Sequence, residues 1–200
     1  MTVKRKRRSY RSDVRAAAVD ETRARIVAAS RRLLSGGEDL PAFSIDAVAR
    51  EAGVTRLTVY NQFESKRGLL EAVFDDMALR GGLFELPKVM TEADPLRALR
   101  RVVAVFCHFW GSHGSAYLTL SALTKLDEEI GAALKQRTER RRRVLTALVA
   151  RLPAIEDRDS LVDLLFVMTS FETFDALCTR KRSHAQVEAL IWSLVETIVQ

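Results

Sequence analysis

Apolar residues recur at spacings of three and four along most of the 200-residue chain, and runs alternating apolar with polar are missing. That period belongs to helices with one buried face. Ala, Leu, Arg and Glu dominate, and the four prolines (Pro41, Pro87, Pro95, Pro153) fall outside the patterned stretches. An all-α fold of about nine helices is expected. The first covers residues 22–35, with Ile26, Ala29, Ser30, Leu33 and Leu34 on one face and Gly36-Gly37 as its stop. Ser44 opens a second, closed by Gly53, and Thr55 opens a third that ends near Phe63. A fourth starts after Ser65 and reaches about Arg80, before Gly81-Gly82. A connector around Pro87 leads to a helix opened by Asp94-Pro95 and ended at Gly111. The remainder divides into 115–126, 127–152 (stopped by Pro153), 159–178 and 183–199. No repeat is visible.

Charge divides the chain differently. Residues 1–15 hold seven basic residues and one acid, residues 16–68 eight and seven, and residues 69–200 seventeen and eighteen. A polyanion partner therefore concerns the N-terminal end alone. We read 1–20 as a basic flexible arm, 21–68 as one domain and 69–200 as another. The longest apolar stretch, 102–110, is far short of the ~20 residues that cross a bilayer. The basic N-terminus does not lead into the apolar segment of a secretory signal. Cys107 and Cys178 stand alone in apolar surroundings, so buried thiols are expected, with no disulfide framework or zinc set. A cytoplasmic protein without metal or other cofactor is the expectation.

Residues 44–63 carry the strongest signal. Two short helices joined through Gly53 make a helix-turn-helix candidate. Ala49 is small enough for close packing, and Gly53 can take a positive φ. Ile45, Val48, Ala52, Val54 and Val59 are spaced to lie between the helices. Arg56, Thr58, Asn61 and Gln62 then point away, on a face open to a major groove, where Arg and Asn can pair bidentately with guanine and adenine. The helix starts at Ser44 and at Ser65-Lys66 suit phosphates, and Tyr60 offers a hydroxyl nearby. The alternative is a helical hairpin in a structural bundle. The run Lys4, Arg5, Lys6, Arg7, Arg8, with Arg11 and Arg15, reads either as a solubilising segment or as an arm along DNA phosphates or in a minor groove.

Residues 22–77 resemble the DNA-binding region of TetR-family (tetracycline-repressor-like) regulators. The most specific part is Val54-Thr55-Arg56-Leu57-Thr58-Val59-Tyr60-Asn61-Gln62-Phe63, followed by Ser65-Lys66 and Leu69-Leu70-Glu71. The resemblance implies an all-α homodimer whose third helix enters the major groove of a palindromic operator. It places Arg56, Leu57, Thr58 and Asn61 against bases or groove, and Ser44, Tyr60, Gln62 and Lys66 on phosphates. It also implies a small-molecule pocket in the C-terminal domain. Three features depart from the family's pattern: a longer stretch from Gly36 to Pro41, Gln62 where His is frequent, and Arg67-Gly68 where an acid and a helix former are common. The glycine suggests a soft first turn.

The C-terminal two thirds lack excess positive charge. Residues 159–178 are apolar almost all round, and 183–199 carry a broad apolar face, so a partner surface is expected. A two-fold dimer through Phe174, Leu177, Val187, Leu190, Ile191, Leu194 and Ile198 agrees with the resemblance. Phe106, His108, Phe109, Trp110 and Tyr117, with Thr138, Met168 and Glu172, read either as core or as pocket wall; a core role is the plainer reading of His108. In 127–152 the apolar seam Leu134, 138, 141, Leu145, Leu148, Leu152 contains Thr138 and Arg141. A buried Arg141 requires a partner, either Glu172 or Asp175, or an anionic ligand group.

Three functions compete. The first is a ligand-responsive regulator, most often a repressor in this family, binding duplex DNA as a homodimer and released by a small molecule; an activator is the same chemistry at another operator position. The second is a sequence-indifferent architectural DNA binder using the basic tail. The third is an enzyme, for which no phosphate loop, nucleophile elbow, zinc motif or acid pair is found. The first is the reading adopted.

Overall fold

The computed structural model describes residues 3–36, 43–125, 128–178 and 181–199, with backbone alone for 3–15 and 129. These residues form ten α-helices and one 3₁₀ turn, and no strand. They are α1 (Val3–Ser35), α2 (Ile45–Ala52), α3 (Arg56–Phe63), α4 (Lys66–Arg80), α5 (Leu86–Val89), α6 (Pro95–Leu123), α7 (Glu128–Val149), α8 (Arg158–Met168), α9 (Phe171–Leu177) and α10 (His184–Val199), with the 3₁₀ turn at Leu83–Glu85. Residues 1–73 and 74–200 form two compact units.

In the first unit the periodic apolar residues meet. Ile26, Ala29, Ser30 and Leu34 of α1, Ile45, Val48 and Ala49 of α2, Val59 and Phe63 of α3, and Leu69, Leu70 and Val73 of α4 are all buried. Ser30 is tolerated there because its hydroxyl donates to the Ile26 carbonyl at 2.9 Å. α1 differs from expectation. It starts at Val3 and not near residue 22, so the segment read as an arm belongs to a continuous helix. Arg, Lys and Ala are good helix formers, which gives the extension its local basis. The side chains of Lys4, Arg5, Lys6, Arg7, Arg8, Arg11 and Arg15 lie outside the described residues, as do residues 37–42 of the longer stretch before α2.

In the second unit α6 packs against α7, α9 and α10, and α8 lies against α7 and α10. Asp94 caps α6 by accepting from the Leu96 and Arg97 amides, with Pro95 at the first position. The expected break at Gly111 is absent: α6 runs unbroken through Gly111 and Gly114. Both glycines make room for neighbours. A Cβ on Gly111 would meet the His184 ring at 2.6 Å, and one on Gly114 would meet Phe171 at 2.9 Å. The expected single helix over 159–178 is instead two. α8 ends at Thr169, and Ser170 caps α9 by accepting from the Thr173 amide at 3.1 Å. Ser and Thr hydroxyls compete with helical hydrogen bonding in this way. Among the described residues no helix is long and apolar enough to cross a membrane. Cys107 is buried, Cys178 is half-buried, and both are free thiols. Burial, with Glu188 nearby, pushes the Cys107 thiol up to about 12.

Candidate functional site

The helix-turn-helix is fixed by three local devices. Ser44 accepts from the Ala47 amide at 3.1 Å and caps α2. Gly53 takes φ 65°, and its amide and that of Val54 close the C-terminus of α2 on Arg50 and Ala49. Thr55 accepts from the Thr58 amide at 3.1 Å and caps α3. Each Ser/Thr cap contributes ~1 kcal/mol, so the turn and the start of α3 are rigid.

Val59 and Phe63 anchor α3 inward, and the opposite face carries Arg56, Leu57 and Asn61 in solvent, with Thr58 half-buried. Leu57 is 68% exposed, an unusual position for leucine unless its apolar surface meets something, such as a thymine methyl. Arg56 does not swing loosely. Its Nη1 lies 3.0 Å from Asp46 Oδ2 of α2, its Nη2 donates to the Tyr60 hydroxyl at 3.4 Å, and its guanidinium stands 5.6 Å from the Tyr60 ring centre. The Tyr60 hydrogen bond and the Asp46 charge hold its pKa above the ordinary value. Both charges are exposed, so this pair is weak and exchangeable for a base edge. The Arg56–Tyr60 spacing of one helical turn was legible in sequence. The contact with Asp46 was not, because it crosses the turn between α2 and α3.

Ser44, Tyr60, Gln62 and Lys66 are all half-buried. The α4 start is capped by Ser65, whose hydroxyl accepts from the Gly68 amide at 3.0 Å. Arg23 of α1 braces the end of α3. Its Nη1 donates to the Gln62 carbonyl at 2.5 Å, and its guanidinium lies 4.3 Å from the Phe63 ring centre.

The second unit contains a cavity of about 430 Å³ between α6, α7 and the connector. Phe106, Phe109, Trp110, Tyr117, Thr138 and Arg141 line it, as do Phe74, Leu83, Leu134 and Arg137, which the sequence reading missed. His108, Met168 and Glu172 are not in its wall. His108 is exposed and is no core histidine; His113, further along α6, is the buried one. Trp110 packs edge-on to Phe109, Tyr117 and Phe171, and its Nε1 donates to the Thr169 carbonyl at 2.9 Å.

Arg141 does not pair with Glu172 or Asp175. Its Nη1 donates to the same Thr169 carbonyl at 2.8 Å, and its guanidinium lies 4.2 Å from the Phe166 ring centre. Thr169 is available because α8 ends there and Ser170 supplies the next acceptor. Burial lowers the Arg141 pKa to about 10, opposed by Tyr117 and Glu172. Arg137 has a carboxylate, Asp75 at 2.8 Å, and Arg142 has Asp163.

The expected dimer face is only partly available. Phe174, Val187 and Ile191 are buried in the chain's own core, and Leu177 and Leu190 are half-buried. Leu194 and Ile198 of α10 stay exposed, and Leu164 and Val167 of α8 join them.

Residues 26–73 match the model of the family described as bacterial regulatory proteins, tetR family. The chain is similar to the HTH-type transcriptional regulator EthR of Mycolicibacterium smegmatis, 35% identical over 95 residues that cover 47% of this chain and 43% of that protein, under half of either. Among solved structures it resembles a putative TetR-family regulator from Rhodococcus sp. (TM-score 0.73, 15% identity, 90% of this chain and 100% of that one). It also resembles a putative transcriptional regulator from Saccharomonospora viridis in complex with choline (TM-score 0.68, 19% identity, 88% and 96%). At these identities the structures speak for the fold, and the family match speaks for the helix-turn-helix. Residues 26–73, which hold the capped α2–turn–α3 unit, thus carry the helix-turn-helix of the tetR family of bacterial regulatory proteins, and the helical second unit shares the fold of these neighbours.

Proposed function

We propose that this protein is a transcriptional repressor that binds a palindromic DNA operator as a homodimer and is released by a small molecule. The observation that carries the DNA reading is the outward row Arg56, Leu57, Thr58 and Asn61 on a helix whose start and turn are pinned by Ser44, Gly53 and Thr55. Such a row suits base edges in a major groove. Ser44, Tyr60, Gln62 and Lys66 flank it and are assigned to phosphates, which set register without reading sequence. The basic residues before Ala16 are assigned to the backbone of flanking DNA, where they add affinity and salt dependence.

The exposed apolar residues Leu164 and Val167 on α8, and Leu194 and Ile198 on α10, support pairing with a second copy across a two-fold axis. α8 and α10 pack against each other, so the four residues belong to adjoining helices. The 430 Å³ cavity is of the size and apolar character of small-molecule sites. The S. viridis protein was solved with choline, a cation. The Arg141 guanidinium in the wall here argues for a different ligand.

Selection of bound duplexes from a random pool tests the DNA reading. A palindrome with two half-sites is expected. Enrichment of no sequence would turn the assignment towards an architectural DNA binder, and a single unrepeated half-site would refute the dimer.

A further inference from the structure

The cavity in the second unit is lined by aromatic and aliphatic side chains, and its wall includes a cation with no carboxylate partner among the described residues. Arg141 donates through Nη1 to the Thr169 carbonyl. Its Nε is buried without a hydrogen-bond partner. No hydrogen bond is made by its Nη2 among the described residues, and no carboxylate pairs with it, although Glu172 and Tyr117 lie close enough to favour its charge. The Phe166 and Phe106 rings lie 4.2 and 5.8 Å from the guanidinium, which soften but do not replace a counter-charge. At a pKa of about 10 the group is still protonated at neutral pH. A buried charge of this kind is costly unless something pairs with it.

The arrangement of the used and unused donors is informative. Nη1 is engaged by protein, whereas Nε and Nη2, the two N–H groups on one edge of the guanidinium plane, are not. That edge matches the two oxygens of a carboxylate. Arg137 lines the same cavity, but Asp75 at 2.8 Å already balances it. Arg140 also lines the cavity but stands in solvent, so the wall offers one buried, uncompensated positive charge beside a large apolar surface, which suits one negative charge on an apolar body and not a polyanion.

We propose that the cavity binds an amphipathic monocarboxylate. Its carboxylate accepts from Nε and Nη2 of Arg141, and its apolar chain lies against Phe106, Phe109, Trp110 and Leu134. This deepens the effector reading given above, on which its regulatory meaning rests, and it names the ligand class.

Calorimetric titration of the full-length protein without DNA tests it, using octanoate, decanoate and dodecanoate, each beside its primary alcohol and primary amine. For the chain length that fits best, the acid is expected to bind about tenfold tighter than the alcohol or more, with the amine weakest. Arg141→Met should abolish the preference while alcohol binding persists, which shows the cavity intact, and Arg141→Lys should keep part of it. The proposal is overturned if no acid binds, if alcohol and acid bind alike to the unaltered protein, or if Arg141→Met keeps the preference. Because no DNA is present, those failures leave the operator reading standing, and failure to select an operator leaves this one standing.

Discussion

Gly68 tests whether the first turn of α4 is soft or tightly fitted. By intrinsic propensity alone, alanine should be better there by ~1 kcal/mol. The structure opposes this. A Cβ at position 68 would sit 2.2 Å from the Phe63 carbonyl oxygen, more than an ångström inside ordinary contact at 3.4 Å, and 3.3 Å from the carbonyl carbon. The atom it meets is backbone at the end of α3, so no rotamer change relieves the overlap. Overpacking of this kind costs typically ~1–3 kcal/mol, and a backbone neighbour puts it at the upper end. Net of the propensity gain, Gly68→Ala should destabilise by about 1–2 kcal/mol.

Urea denaturation followed by circular dichroism reads this directly. Gly36→Ala is the control, because its Cβ would meet only the Arg32 and Leu33 carbonyl oxygens, both at 3.6 Å. That variant should be neutral or slightly stabilised. Operator affinity should fall in Gly68→Ala as well, since the displaced carbonyl ends the reading helix. A Gly68→Ala midpoint at or above the unaltered protein's would refute the fitted-turn reasoning and restore the reading of a soft turn.

Three other outcomes are expected. Arg56→Ala should lose ~1–3 kcal/mol of discrimination at one base pair per half-site, measured by anisotropy on single-substitution operators, and Asp46→Ala should blunt the same position while raising binding to random duplex. Discrimination unaltered in Asp46→Ala would show that the Asp46 contact does not position Arg56. Val167→Glu and Leu164→Glu should shift sedimentation from dimer towards monomer without loss of helicity, since each puts a charge into an apolar interface; unchanged sedimentation would remove α8 from that interface. Burial keeps the Cys107 thiol protonated to about 12, against 9.0 for an ordinary thiol. The unfolded chain therefore releases this proton first, and stability falls as pH climbs from 9 towards 12, by at most about 1.4 kcal/mol per pH unit. Cys107→Ala should flatten that alkaline slope in denaturation midpoints, and an identical slope would contradict the assignment.

The DNA-binding unit was legible because its determinants are local. Ser44, Gly53 and Thr55 act on amides and carbonyls within a few residues, and the apolar period of α2 and α3 leaves Arg56, Leu57 and Asn61 outside without reference to the rest of the chain. The second unit was less legible because its determinants are distant. Gly111 and Gly114 look like helix stops until His184 and Phe171 are seen pressed against them. His108 and His113 are equally plausible core residues by composition, and the rotation of α6 against its neighbours decides between them. The apolar faces of α9 and α10 could point to a partner or to α6, and for Phe174, Val187 and Ile191 the chain's own core wins. Arg141 stood out in the sequence as a charge on an apolar seam. Its acceptor could not be guessed, because it is a main-chain carbonyl freed by the break between α8 and α9.

That break brings the cavity and the exposed apolar face together. The Thr169 carbonyl receives both Trp110 of α6 and Arg141 of α7, and Val167, two residues earlier on α8, is among the exposed apolar residues. A carboxylate on Nε and Nη2 would recruit Arg141 without displacing Thr169, so occupancy would tighten the α6–α7 grip on the end of α8. If α8 forms the subunit contact, ligand and partner then act on one element, and their free energies must be reciprocally linked. Acid affinity should accordingly differ between the dimer and the monomeric Val167→Glu variant, by a per-cavity factor whose square is the factor by which saturating acid changes the dimerisation constant, since each dimer holds two cavities. Equal acid affinity in both would mean that the cavity fills without reaching the interface, and release from DNA would require another route.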